Sequence, residues 1–269
     1  MLVPAAADPA AAGLALAIDG PRATIAVDRQ DHVAVRAPAL SASLRTALAG
    51  IGRSLPGSIR LVVLRIIGGS PPSGHGRSGP AEEQPAEGQW SDDQKVEEQP
   101  AHHNAGAVAE WQAALGWLSR HDLFSVAVVS GYAVDALRLA IACDLRVVCD
   151  DAYLSLPGIH HGRIPALGVS RALVDLVGYG RALDLCVTGR GLSGAQAQAV
   201  GLADRLAAPA DLDRAVEELV AALLAAPRET AVEVKALLLH SRERSRPDQL
   251  RAERDAQLRC SPTPAGSSG

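Results

Sequence analysis

The stretch from Ser125 to Leu173, SVAVVSGYAVDALRLAIACDLRVVCDDAYLSLPGIHHGRIPALGVSRAL, constrains the fold more than any other part of the chain. It opens with Val126 to Val129, an apolar and largely β-branched run, and turns at Ser130-Gly131-Tyr132-Ala133. It then reads apolar at helical spacing from Ala136 through Ala140 to Cys143. The pattern predicts a strand, a tight turn and a buried helix ending at Asp144, followed by a second strand at Leu145 to Cys149. A loop built on Pro157, Gly158, Gly162 and Pro165 leads to a further helix beginning near Gly168. A helix that starts where a buried strand ends aims unsatisfied backbone N–H groups at a cleft, so the chemistry is expected here.

Gly131-Tyr132-Ala133 and Leu139-Ala140-Ile141-Ala142-Cys143-Asp144 match the two ends of a signature of the form G-Y-A-x-G-G-G-x-E-L-A-x-x-C-D. Pro157-Gly158, Gly162 and Pro165-Ala166-Leu167-Gly168-Val169 follow its companion, P-E-x-x-x-G-x-x-P-G-x-G-G. On these residues the chain resembles the enoyl-CoA hydratase/isomerase, or crotonase, family. The similarity extends through Leu176 to Leu183, Thr188-Gly189 and the Ala195 to Leu202 segment. Between the matching ends one residue is missing, Asp135-Ala136-Leu137 replace the glycines, Arg138 stands at the first acid/base glutamate, and Gly158 stands at the second.

The resemblance implies an α/β fold: a crotonase-like ββα spiral core over residues 13–206, with a C-terminal helical region over 207–258. Residues 1–12 and 259–269 are expected to be flexible ends. It also implies an acyl-CoA thioester as ligand, with no other cofactor and no metal, and a homo-trimer or hexamer with room for a hetero-partner. By the same resemblance the backbone near His32, Val33 and Ala34 meets coenzyme A, and backbone N–H groups at His75 and Asp135 form the oxyanion hole.

With 269 residues and 48% hydrophobic content, the chain can bury the core of one domain with a helical appendage. A net charge of −4 and a pI near 6.1, without a basic cluster interleaved with aromatics, argue against nucleic-acid partners. Cys143, Cys149, Cys186 and Cys260 show no CxxC spacing, and the first three lie in apolar runs, which reads as a reducing cytoplasm. No apolar run reaches the roughly 18 to 20 residues of a membrane span, and the Ala-rich start lacks a basic segment, so neither membrane nor export is expected.

Along the rest of the chain, Thr24 to Val27 and Leu61 to Ile67 read as strands. Leu40, Leu44, Leu48 and Ile51 fall on one helical face, with Ser41 or Ser43 as cap. Residues 78–104 are acidic and rich in Gln and Pro, too poor in apolar surface to offset the entropy of ordering, and are expected to be a disordered insert. Val108, Trp111, Leu115 and Leu118 mark a helix, Ser193 to Gln196 fit a capping box, and Gly201 fits a helix stop. Periodicity predicts two more helices at 211–225 and 229–242. The chain then reaches Leu258 and a Ser/Pro/Gly tail without the family's E-G-x-x-A-F motif, and no counterpart of its final helix is expected.

Hydration of an enoyl thioester uses two carboxylates to hold one water, and neither family position retains one. Arg138 cannot serve as a base because a guanidinium does not deprotonate in proteins. It can pair with Asp135 three residues earlier, or clamp a substrate carboxylate or phosphate. Asp135 itself reads first as the N-cap of its helix. His160 and His161 are the nearest titratable groups to Gly158, and at most one of two adjacent extended residues can face a cleft. Tyr132 and His75 come next. Two functions follow from the resemblance: an acyl-CoA enzyme with a substituted acid–base set and little ordinary hydratase activity, or a non-catalytic accessory or scaffold subunit.

Overall fold

A computed structural model describes residues 13–29, 41–69, 105–132, 136–156, 159, 162, 164–165 and 168–261. The chain starts with an antiparallel hairpin in which β1 (Leu14–Asp19) turns through Gly20 and Pro21 into β2 (Arg22–Arg29). Parallel strands β3 (Leu61–Gly68), β4 (Phe124–Ser130) and β5 (Leu145–Cys149) follow. A small antiparallel pair, β6 (Tyr153–Leu154) with β7 (Leu192–Ser193), precedes β8 (Arg205–Ala207), which rejoins the main sheet beside β5. The main sheet runs β1-β2-β3-β4-β5-β8.

Burial explains the strand sequences. In β3 and β4 no residue is exposed and the central residues are buried on both faces, so LVVLRIIG and FSVAVVS are largely apolar runs rather than alternating ones. In β2, Ala23, Ile25 and Val27 are buried while Arg22, Thr24 and Ala26 are half-buried and Asp28 is exposed. In β1 only Leu14 is buried, which leaves this edge strand without a hydrophobic pattern of its own.

Helices make the parallel connections. The first, α1 (Ala42–Ser54), is capped by Ser41, whose Oγ accepts from the Leu44 N–H at 3.1 Å, and buries Leu44, Ala47, Leu48 and Ile51. It packs on α2 (Ala105–Gly116), which continues as a 3₁₀ turn through Leu118. Between β4 and β5 lies α3 (Ala136–Ile141). The excursion between β6 and β8 holds α4 (Val169–Val177), α5 (Tyr179–Thr188) and α6 (Gly194–Ala199). The capping box at Ser193 and Gln196 is formed in both directions.

Beyond β8, α7 (Leu212–Ala225) packs against β5 and β8 and is tied to the sheet by ion pairs from Arg22 to Glu217, at 2.6 Å, and from Arg65 to Asp213. It is followed by α8 (Arg228–His240) and α9 (Arg246–Cys260). The last helix falls in the helical region expected over 207–258, for which periodicity predicts no separate helix after 242, and it runs on to Cys260. Ser245 caps α9 by accepting from the Asp248 N–H at 3.3 Å, with Pro247 in the first turn. Its sequence carries almost no apolar stripe, and only Ala256 is buried. Among the described residues no helix is long and apolar enough to cross a membrane. The expected insert at 78–104 and both expected flexible ends, apart from 259–261, lie outside the described residues.

Candidate functional site

The parallel register brings the C-terminal ends of β3 and β4 side by side, with Ile67 opposite Ser130. Beyond the ladder the two chains stay joined, because the Tyr132 N–H donates to the Gly69 carbonyl at 2.8 Å. A third segment closes on them: the Tyr153 N–H donates to the Gly131 carbonyl at 3.2 Å, and the Gly131 N–H donates to Asp151 Oδ1 at 3.0 Å. Three strand ends therefore converge on Gly131. Its φ of +67° lies in the left-handed region, and a Cβ there would stand 2.6 Å from the Gly68 carbonyl oxygen. Only glycine meets both conditions.

Next to this turn the rings of Tyr132 and Tyr153 stack, with centroids 5.2 Å apart and planes inclined by 19°. Both residues are half-buried. Burial, and to a lesser extent the Tyr153 phenol, push the Tyr132 pKa up, so its hydroxyl remains a proton donor at neutral pH. Tyr153 in turn abuts Gly191, where a Cβ would fall 2.0 Å from the ring.

Ala136, four residues beyond Tyr132, begins α3. Ala136, Leu137, Leu139, Ala140 and Ile141 are buried, which anchors the helix under the turn. Arg138 is the exception: it is half-buried, and its Nε lies out of solvent. After β6, Ser155 and Leu156 are buried, and the sequence passes directly into Pro157-Gly158. Farther on, Gly168, with φ +78°, precedes α4 where the sequence predicts a helix start.

Of the expected site residues, Arg138 lies among the described residues, in the middle of α3. His32, Val33, Ala34, His75, Asp135, Gly158, His160 and His161 lie outside the described residues. Sequence reasoning missed Tyr153 and Gly191. The available signal was an aromatic residue four positions before Pro157, but nothing in the sequence pairs it with Tyr132. Among the described residues no three His, Cys, Asp or Glu side chains are grouped to hold a metal ion.

The opposite end of the same strands carries a buried polar cluster. Asp144, just before β5, accepts from the Ser125 N–H at 2.8 Å, from Ser125 Oγ at 3.1 Å and from Lys235 Nζ at 2.6 Å. Arg146 is buried, donates to the Leu202 carbonyl at 2.7 Å and pairs with Asp204 at 2.8 Å. These contacts fix β4, β5 and the C-terminal helices together, away from the cleft end.

Comparison with known proteins fits this geometry. A protein of Thermobifida fusca YX assigned as an enoyl-CoA hydratase and solved with CoA superposes with a TM-score of 0.76, at 35% identity over 95% of each chain. The same protein solved with acetoacetyl-CoA gives 0.77, at 35% identity over 95% of this chain and 97% of that one. Methylglutaconyl-CoA hydratase 1 of Pyricularia oryzae, a mitochondrial protein, is 38% identical over 130 residues, which are 46% of this chain and 37% of that protein. YngF of Bacillus subtilis, assigned as an enoyl-CoA hydratase/isomerase, is 39% identical over 101 residues, 37% of this chain and 39% of that protein. The chain thus matches about two fifths of the length of these curated relatives. The family model for enoyl-CoA hydratase/isomerase matches residues 90–263, well over half of the chain. With that family model over most of the chain and an α/β fold like those solved structures, the chain belongs to the enoyl-CoA hydratase/isomerase family.

Proposed function

We propose that this chain binds an acyl-CoA thioester at the C-terminal ends of β3 and β4 and has little or no ordinary enoyl-CoA hydratase activity. The observation that carries the binding half is the likeness, over 95% of the chain, to a protein solved with CoA and with acetoacetyl-CoA. The thioester carbonyl is held by backbone N–H groups at His75 and Asp135, and coenzyme A runs past His32, Val33 and Ala34. Two such donors matter because losing one typically costs about 10²- to 10³-fold in rate.

The low hydratase activity follows from the acid–base positions. Arg138 supplies a guanidinium, which is not a general base, and Gly158 has no side chain, so no carboxylate pair holds the attacking water. General acid–base assistance worth roughly 10²- to 10⁴-fold is then left to His160 or His161, or is missing. The chain acts without another cofactor, in the cytoplasm, as a homo-oligomer.

Because both glutamates are replaced, a second reading is a non-catalytic accessory or scaffold subunit of an active acyl-CoA enzyme. Calorimetric titration with acetoacetyl-CoA separates the two, since a scaffold with a closed cleft binds no thioester. Crotonyl-CoA hydration, followed by loss of the enoyl absorbance, tests the activity. A rate within about tenfold of an ordinary family hydratase overturns the proposal, because a missing acid–base pair costs more than that.

A further inference from the structure

We infer that Tyr132 and Tyr153 are positioning residues that clasp the acyl end of the cleft, holding the turn after β4 against the segment that runs into Pro157-Gly158. This rests on the acyl-CoA reading. The Tyr132 side of the clasp lies three residues before Asp135, and the Tyr153 side lies five residues before Gly158. Among the described residues the two chain segments are joined by an isolated bridge between Tyr132 and Tyr153, by the Tyr153 N–H to the Gly131 carbonyl at 3.2 Å, by the Gly131 N–H to Asp151 Oδ1 at 3.0 Å, and by the stacked rings at 5.2 Å. The ladder on the far side of Tyr153 is also short. It pairs with Ser193, and its ring fills the space that the absent side chain of Gly191 leaves open. Because the bridge is isolated and continues into no longer ladder, ring packing contributes to the separation of the two segments.

The phenol oxygens are not needed for this role; the flat rings are. Phenylalanine should therefore substitute for Tyr153, whereas leucine, which cannot stack, should let the two segments shift. The shift is felt where the thioester sits and not along the rest of coenzyme A, whose expected contacts near His32 to Ala34 belong to another part of the chain.

The test is calorimetric titration of wild type, Tyr153→Phe and Tyr153→Leu with acetoacetyl-CoA and with free CoA. The expected result is acetoacetyl-CoA affinity reduced about tenfold in Tyr153→Leu, free CoA affinity within about twofold of wild type, and Tyr153→Phe like wild type for both. A folded Tyr153→Leu protein that binds acetoacetyl-CoA normally, or loses both ligands equally, overturns the inference. So does a Tyr153→Phe protein with the leucine variant's defect. If Tyr153→Leu does not give a cooperative melt, Tyr132→Leu replaces it with the same expected and contrary outcomes. A wild-type protein that binds neither ligand refutes the acyl-CoA reading itself, an outcome visible before any variant is made.

Discussion

Lys235 Nζ donates to Asp144 Oδ2 and to the Leu123 carbonyl, each at 2.6 Å, and so joins α8 to the start of β5 through a side chain only 7% exposed. Asp144 is 20% exposed and also accepts from the backbone and hydroxyl of Ser125, so its negative charge is held in a site built around a cation. Breaking a buried pair by removing one partner leaves the other charge uncompensated, at a cost of about 3–5 kcal/mol. Lys235→Ala should therefore lower the unfolding free energy by about 3 kcal/mol. Urea titration followed by circular dichroism measures it, and a loss below about 1 kcal/mol, the scale of a surface pair, would contradict the buried-pair account.

Gly131→Ala is expected to be severe. The left-handed conformation costs a non-glycine residue roughly 1–2 kcal/mol, and overlap with a backbone carbonyl that cannot rotate away adds about 1–3 kcal/mol. Gly180, exposed in the first turn of α5 with open space where a Cβ would go, is the control. Gly180→Ala should stabilise the protein by up to about 1 kcal/mol. Thermal melts of both variants check the contrast, and equal effects at the two positions would refute it.

Much of this architecture is legible in the residues. The continuous apolar run of β3, the strand at Leu145 to Cys149, the Ser41 cap and the Ser193–Gln196 box each carry a local signal, because a period, a cap or a run reports burial or a hydrogen bond within a few residues. β1 and α9 are not legible. β1 takes its conformation from pairing with β2, and α9 buries little more than Ala256, so neither has a hydrophobic period to read. The site divides in the same way. Gly131 and Arg138 stand in a recognisable motif, whereas the Tyr132–Tyr153 stack joins residues twenty-one positions apart through tertiary packing alone.

Self-association is the third prediction. Tyr179, Val187 and Leu238 are 70%, 56% and 68% exposed, an unusual position for large apolar side chains on helices packed to the core by their other faces. Light scattering at micromolar concentration should return a multiple of the 27.8 kDa chain mass. Leu238→Glu should lower that mass without removing core contacts. A monomeric wild type would rule the association out.

Stability should fall at alkaline pH. Burial pushes the Cys143 thiol up to about 12 and the Cys149 thiol up to about 11, from an ordinary value of 9.0. Below pH 9 both thiols are protonated in the folded and unfolded states and contribute no pH dependence. Above it the unfolded chain releases protons that the folded chain retains, so the unfolded state gains as pH rises through the folded values. Urea midpoints should therefore decline between pH 9 and 11 more steeply in wild type than in Cys149→Ala. Parallel slopes would remove Cys149 from the account.

Arg138 decides how the cleft treats charge. A guanidinium on a short, buried helix, three residues after Asp135, can share that carboxylate's charge, an interaction worth about 0.2–0.5 kcal/mol on a helix surface. Asp135 as N-cap contributes about 1 kcal/mol more. On this structural-pair account, Arg138→Ala changes stability only slightly and leaves the affinities for acetyl-CoA and malonyl-CoA unchanged, while Asp135→Ala is the more destabilising substitution. An anion clamp behaves differently. Removing Arg138 would then weaken malonyl-CoA by about 1.5–3 kcal/mol, the range for a hydrogen bond to a charged group, while sparing acetyl-CoA. The pair is the expected arrangement because Asp135 stands three residues before Arg138, the spacing at which opposite charges on one helix meet. Calorimetry with both thioesters on wild type and Arg138→Ala separates the two accounts, and selective loss of the malonyl compound would assign Arg138 to the substrate instead of the helix.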